Sequence, residues 1–133
     1  MNAASFQKNL STEFPGYLGI EFIEVTPERV VGALHVRPEL CNGAGILHGG
    51  ALMSLADTLG AVATLVNLPE GARTTTLESK TNFLGAVPVG ARVIGECAPF
   101  HRGKTTMVWQ TLVKSESGKL CAVVTQTQLV LPG

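Results

Sequence analysis

The chain predicts an α+β fold in which a curved antiparallel sheet of about six strands wraps round one long central helix. Three observations carry the prediction. Residues 48–67 form a run of helix formers with a continuous apolar stripe, two strand-like segments precede it, and four follow it at short spacing.

In order, residues 1–14 read as a short N-terminal helix with Phe6 and Leu10 on one side, and Pro15-Gly16 is expected to break it. Tyr17–Val25 has a strand pattern, Thr26-Pro27-Glu28 a turn pattern, and Arg29–Arg37 alternates well enough to be the returning strand. Pro38 ends it, and a loop over 39–47 leads into the helix. At 100° per residue, Leu52, Leu55, Leu59, Val62 and Val66 make one apolar stripe, expected to pack on the sheet. Ser54, Asp57, Thr58, Ala61 and Thr64 make a second face of small and polar residues, expected to face something that tolerates a carboxylate. Pro69-Glu70-Gly71 stops the helix. Four strands then follow, Arg73–Leu84, Ala91–Phe100, Thr105–Ser115 and Lys119–Leu131. The last two connections, His101–Lys104 and Glu116–Gly118, are short and contain Gly, so those strands are antiparallel neighbours.

At 133 residues the chain can bury one proper core, and a single domain over 1–133 is expected. Lys plus Arg number 10 and Asp plus Glu 10, a balance that argues against a nucleic-acid partner, because phosphate binding shows as a basic excess. The N-terminal stretch lacks the basic start and apolar core of a signal peptide, and Ser54, Asp57, Thr58 and Thr64 make the long helix a buried helix rather than a membrane span. Cys41, Cys97 and Cys121 are odd in number and unpatterned, so disulfides are not expected and a reducing cytoplasm is the simplest setting. With His35, His48 and His101 they show no metal-ligand spacing, so no metal is expected. A nucleophile elbow, a Ser-based triad and a dinucleotide-binding glycine motif are also missing.

The chemistry concentrates in Cys41–Asn67. His48-Gly49-Gly50 opens the helix, where backbone N–H groups lack internal partners and sit at the positive end of the macrodipole. Such a place stabilises a carbonyl oxygen becoming an oxyanion, although glycines there also merely relieve crowding. Asp57 is the one charged residue of the helix, costly to bury unless satisfied or used. It lies nine residues past His48, about 12–14 Å along the axis and about 180° round it. Within one chain the glycine amides and the carboxylate therefore cannot touch one small reacting group. If they share a site, Asp57 comes from a second copy, as a two-fold dimer would provide. The plain alternative is a buried structural carboxylate tied down by backbone or hydroxyl donors, such as those of Ser54 or Thr58.

Asn42, His48-Gly49-Gly50, Asp57, Thr76, Asn82-Phe83-Leu84, a basic turn with Gly, and the terminal Thr125-Gln126-Thr127-Gln128 together resemble the hotdog-fold acyl-CoA thioesterases. The likeness is to the PaaI-like group and the group of human thioesterase superfamily member 2, and it spans nearly the whole chain from about Pro15. The resemblance implies hydrolysis of an acyl-CoA with an aryl or short-to-medium acyl group. Asp57 would be nucleophile or general base. The Gly49 N–H would polarise the thioester oxygen with help from the Asn42 side chain, while His48 would orient the thioester or the Asn42 loop. Thr76 would help position the attacking water. Phe83, Gly85 and the turn His101-Arg102-Gly103-Lys104 would contact coenzyme A, with Gly103 exposing backbone amides beside two cations. Coenzyme A enters as part of the substrate, no cofactor is implied, and relatives self-associate as homodimers and homotetramers.

Asp57 and Asn42 favour the PaaI-like branch over the enterobactin- and menaquinone-pathway thioesterases, which carry Glu and Gln there. Trp109 and Cys121 point the other way. Gly85-Ala86 replaces a frequent Arg-Pro, and Ala61 stands where one aryl-CoA branch has Thr. Two other functions compete: a non-catalytic acyl-CoA-binding module, and a hotdog dehydratase or hydratase, whose characteristic His motifs are missing here.

Overall fold

The structure, a computed structural model, describes residues 1–133. Two short helices, α1 (Ala3–Asn9) and α2 (Phe14–Leu18), lead into strands β1 (Glu21–Val25) and β2 (Val30–His35). A 3-10 turn at Pro38–Leu40 precedes the long helix α3 (Gly49–Leu65), and strands β3 (Arg73–Phe83), β4 (Arg92–Arg102), β5 (Thr106–Ser115) and β6 (Leu120–Leu131) follow. All six strands join one antiparallel sheet in the order β1-β2-β4-β5-β6-β3. α3 packs against β2, β3, β4, β5 and β6, which is the expected sheet wrapped round a central helix.

Three boundaries differ from the sequence expectation. The N-terminal helix spans only Ala3–Asn9, and Phe14 opens a second one. Tyr17 and Leu18 belong to α2 rather than to a strand. Pro15 sits in the first turn of that helix, where its missing N–H is harmless, so it starts a helix instead of breaking one. Gly19 then closes α2 with φ 83°, a conformation that favours glycine, and the strand begins only at Glu21. His101 and Arg102 likewise lie in β4, so the hairpin tip shrinks to Gly103-Lys104-Thr105.

The apolar stripe of α3 packs as predicted, with Leu52, Leu55, Leu59 and Val62 buried in the core alongside Trp109, Val93 and Val113. Each such side chain contributes about 1.5–3 kcal/mol by leaving water. The helix comes close because Gly32 of β2 and Gly95 of β4 are register partners beneath Leu59. A Cβ on either would stand 2.6 or 2.7 Å from a Leu59 methyl.

The second face of α3 meets polar side chains of the sheet. Thr64 is fully buried and accepts the Trp109 Nε1–H at 2.9 Å, while its own hydroxyl donates to Gly60 O. The sheet accommodates this face with a polar row on β3 and β6. Thr76 of β3 is paired with Gln128 of β6, and Ser79 with Gln126. A bulge at Leu77, between Thr76 and Glu78, shifts the alternation so that Thr74, Thr76 and Ser79 are all partly buried while Leu77 points out, 57% exposed.

Candidate active site

Two clusters form at different places on α3. The first is its N-terminus. His48 is the N-cap, with φ −62° and ψ 136°, and its Nδ1 accepts the Gly50 N–H at 2.8 Å. An accepting Nδ1 leaves the ring hydrogen on Nε2, so the His48 ring is held as a cap. Gly49, the first helical residue, keeps an N–H with no acceptor in the chain, and the Phe83 ring lies against it, 3.0 Å from where a Cβ would be.

Asn42 uses its side-chain oxygen on its own loop, accepting from Ala44 N at 2.9 Å and Ile46 N at 3.4 Å, so only its Nδ2 hydrogens face outward as donors. No hydrogen bond joins the His48 ring to the Asn42 loop, and its Nδ1 is taken by the Gly50 N–H. A cavity of about 240 Å³ beside this cluster is lined by Phe14, Cys41, His48, Gly50, Ala51 and Ser54, among others.

The second cluster surrounds Asp57, and the donors that hold it are not the neighbouring hydroxyls of α3. Ser54 and Thr58 turn their hydroxyls back onto Gly50 O and Ser54 O, and neither bonds the carboxylate. Asp57 Oδ1 instead accepts from Thr76 Oγ1 at 2.7 Å and from Gln126 Nε2 at 3.3 Å. Thr76 in turn accepts from Gln128 Nε2 at 2.7 Å, and Thr74 donates to Gln128 Oε1 at 2.9 Å. Oδ2 makes no hydrogen bond within the chain. A cavity of about 280 Å³ lies over this cluster, lined by Met53, Ser54, Asp57, Thr76 and Ser79. The Ser79 hydroxyl in its wall is buried and unpaired.

Gln126 and Gln128 were legible in the sequence only as part of the terminal motif of the resemblance; nothing in their spacing announced a contact with Asp57. Gly60, whose smallness suits a close approach to the helix, is approached by a side chain that nothing in the sequence announces. The Gln126 amide lies flat across it, and a Cβ at Gly60 would run into that amide.

The coenzyme A contacts expected from the resemblance are more dispersed. Phe83 is 53% exposed and reaches the Gly49 cluster, but Gly85 is occupied, donating its N–H to Cys121 O at 3.0 Å with the Lys119 side chain over it. Gly103 exposes no free amide either, since its N–H closes the hairpin onto Thr106 O at 2.9 Å. Arg102 is engaged with Pro27 O, Asn67 Oδ1 and, at 3.9 Å, Glu28. Lys104 makes no ion pair, and with Arg102, Asn67 and Met107 it borders the largest cavity, about 650 Å³, beyond the C-terminal end of α3. His101 is exposed beside this tip.

No three His, Cys, Asp or Glu side chains converge as metal ligands. All three cysteines are free thiols, and burial pushes the Cys97 thiol up to about 12, which makes it inert as a nucleophile. No helix is long and apolar enough to cross a membrane.

A helix-start amide without a partner and a carboxylate with one free oxygen suit attack on a polarised carbonyl, and the similarities of the chain agree. Residues 44–122 match the thioesterase superfamily. The chain is 31% identical over 116 residues to the 1,4-dihydroxy-2-naphthoyl-CoA hydrolase of Escherichia coli (strain K12), covering 87% of this chain and 85% of that protein. It superposes on the crystal structure of thioesterase HI1161 from Haemophilus influenzae with a TM-score of 0.94 at 28% identity, over 99% of this chain and 92% of the other. The PaaI protein from the phenylacetic acid degradation operon of E. coli gives 0.88 at 26% identity, over 99% and 92%. The chain therefore belongs to the thioesterase superfamily, has the hotdog fold, and is a thioester hydrolase.

Proposed function

We propose that this protein hydrolyses an acyl-CoA thioester, with an aryl or short-to-medium acyl group, to the free acid and coenzyme A. The observation that carries the reading is the asymmetry of Asp57: Oδ1 is held by Thr76 and Gln126, while Oδ2 is free beside a cavity with the unpaired Ser79 hydroxyl. A water held between Oδ2 and these hydroxyls is the attacking group, and Asp57 is its general base rather than a covalent nucleophile. As the water oxygen bonds to the carbonyl carbon, its proton passes to Asp57. The charge growing on the thioester oxygen falls to the Gly49 N–H, and the unspent Asn42 Nδ2 is a second donor for it. Cleavage of the C–S bond then releases coenzyme A thiolate, which takes up the proton.

The two clusters act on one carbonyl only across a dimer. In support, α3 is continuous from Gly49 to Leu65, so the separation of the Gly49 amide from Asp57 is fixed by helix geometry. The 11-residue β3 that carries Thr76 and Ser79 is an edge strand with an exposed Leu77 and an unpaired, buried Thr81 hydroxyl. A second copy pairing along that edge would cover it. Phe83, beside Gly49, would line the pantetheine path, and Lys104, at a hairpin tip without an ion pair, is the cation left for the phosphates. Coenzyme A is part of the substrate, no cofactor is used, and the free thiols suit a reducing cytoplasm.

Thiol release from a panel of aryl- and alkyl-CoA thioesters tests the reading, comparing wild type with Asp57→Asn. Loss of about 10²–10⁴ in kcat is expected for the variant. Equal hydrolysis by both proteins contradicts the role of Asp57, and tight binding without release by wild type points to a binding module.

A further inference from the structure

We infer that Gln126 and Gln128 are positioning residues that clamp one oxygen of Asp57 and thereby fix Oδ2 as the reacting atom. The inference rests on the reading of Asp57 as the acting carboxylate, and goes on to say which groups aim it.

Hydrogen-bond direction supplies the logic. An ionised carboxylate only accepts, so Thr76, whose Oγ1 carries one hydrogen and lies 2.7 Å from Asp57 Oδ1, must donate it there. Thr76 Oγ1 can then only accept from Gln128, which requires the Gln128 Nε2 at 2.7 Å and turns Oε1 toward Thr74. Gln128 is fully buried, and its amide sets the direction of the Thr76 hydroxyl. The same reasoning fixes Gln126. Its Nε2 faces Asp57 Oδ1 at 3.3 Å and the Asp57 backbone carbonyl at 3.5 Å. That choice strands its Oε1 as a buried acceptor with no partner.

A buried amide left half satisfied is poor design for stability alone. Here the unpaired oxygen is the consequence of turning the amide nitrogen onto the carboxylate. Gly60 is the residue that lets the side chain lie there. Both glutamines come from β6 and approach from the core side, so they hold Oδ1 from beneath while Oδ2 stays available to the cavity. Neither touches the space over Oδ2; each acts through Asp57 or Thr76.

The test is a double-mutant cycle in the full-length protein, read as kcat and KM for thiol release from one acyl-CoA. Gln128→Met keeps the length and volume of the side chain without its donor, and Gln128→Glu keeps its shape while removing the donor. Each is expected to lower kcat about tenfold with KM unchanged. Thr76→Val is expected to lower kcat by about 10–100-fold, whereas Thr76→Ser keeps the hydroxyl and most of the rate. In the Thr76→Val background, Gln128→Met should have no further effect, because its action passes through the missing hydroxyl. Gln126→Met, contacting Asp57 directly, should still lower kcat there. Full additivity of Gln128→Met with Thr76→Val, a change confined to KM, or wild-type kcat in Gln126→Met and Gln128→Glu each overturns the inference. Asp57→Asn separates this from the reading beneath it. An inactive Asp57→Asn with unaffected glutamine variants removes the clamp alone, and an active Asp57→Asn removes the acting carboxylate.

Discussion

The two clusters on α3 are built in opposite ways. The Gly49 end is assembled from neighbours in sequence, with His48 capping Gly50 and Asn42 holding Ala44 and Ile46. The Asp57 cluster draws its partners from 19 residues away in Thr76 and 69 away in Gln126. One end offers a backbone donor that no substitution other than proline removes. The other offers a side chain whose orientation depends on a chain of hydrogen bonds across two strands. The oxyanion end should therefore be robust to most mutations, and the carboxylate end fragile in rate without being fragile in fold.

Three variants sharpen that contrast. Gly49→Pro has the largest expected effect after loss of Asp57 itself. Proline fits the first helical position and His48 already has the extended ψ that a residue before proline prefers, so the N–H is removed with the helix kept. The exposed Phe83 ring, 3.0 Å from a Cβ there, must shift slightly. Steady-state kinetics should show kcat down about 10²–10³-fold with a native circular-dichroism spectrum; wild-type kcat would remove this amide from the reaction.

Gly60→Ala comes next. A methyl there collides with the Gln126 amide, so the clamp on Oδ1 should loosen and kcat fall about tenfold, although alanine favours the helix. An unchanged rate would mean that Gln126 does not matter to catalysis. The smallest effect is expected for His48→Ala, which loses a helix cap worth about 1 kcal/mol in denaturant titration. Its kcat should fall less than that of Gly49→Pro. A larger fall would give the ring a chemical role beyond capping.

Sequence patterns revealed the parts of this molecule whose causes are local. The apolar stripe of α3, the antiparallel neighbours β4, β5 and β6 and the helix start at His48 all follow from periodicity, short Gly-containing turns and capping chemistry. Pro15 was misjudged because a proline begins a helix as readily as it ends one, and the surrounding residues decide which. The placement of β3 beside β6, at the edge of the sheet, has no local signal, since nothing in residues 73–83 names their partner. For the same reason Asp57 stood out as an unusual carboxylate while Gln126 and Gln128 did not. Buried glutamines acquire meaning only when register sets them opposite Ser79 and Thr76. The coenzyme A contacts were least legible, because Gly103 reads as a free amide in sequence and its N–H is spent on Thr106 in the fold, as that of Gly85 is on Cys121.

The central claim is that each site takes its amide from one chain and its carboxylate from another, and mixed dimers test it most directly. Asp57→Asn and Gly49→Pro are each inactive by this account, but a dimer of one with the other contains one site with both groups intact. Refolding an equal mixture should restore about a quarter of the wild-type activity per chain, since half of the dimers are mixed and each has one competent site. A verified mixed dimer with no more activity than its parents, or full activity in a monomer, would contradict it.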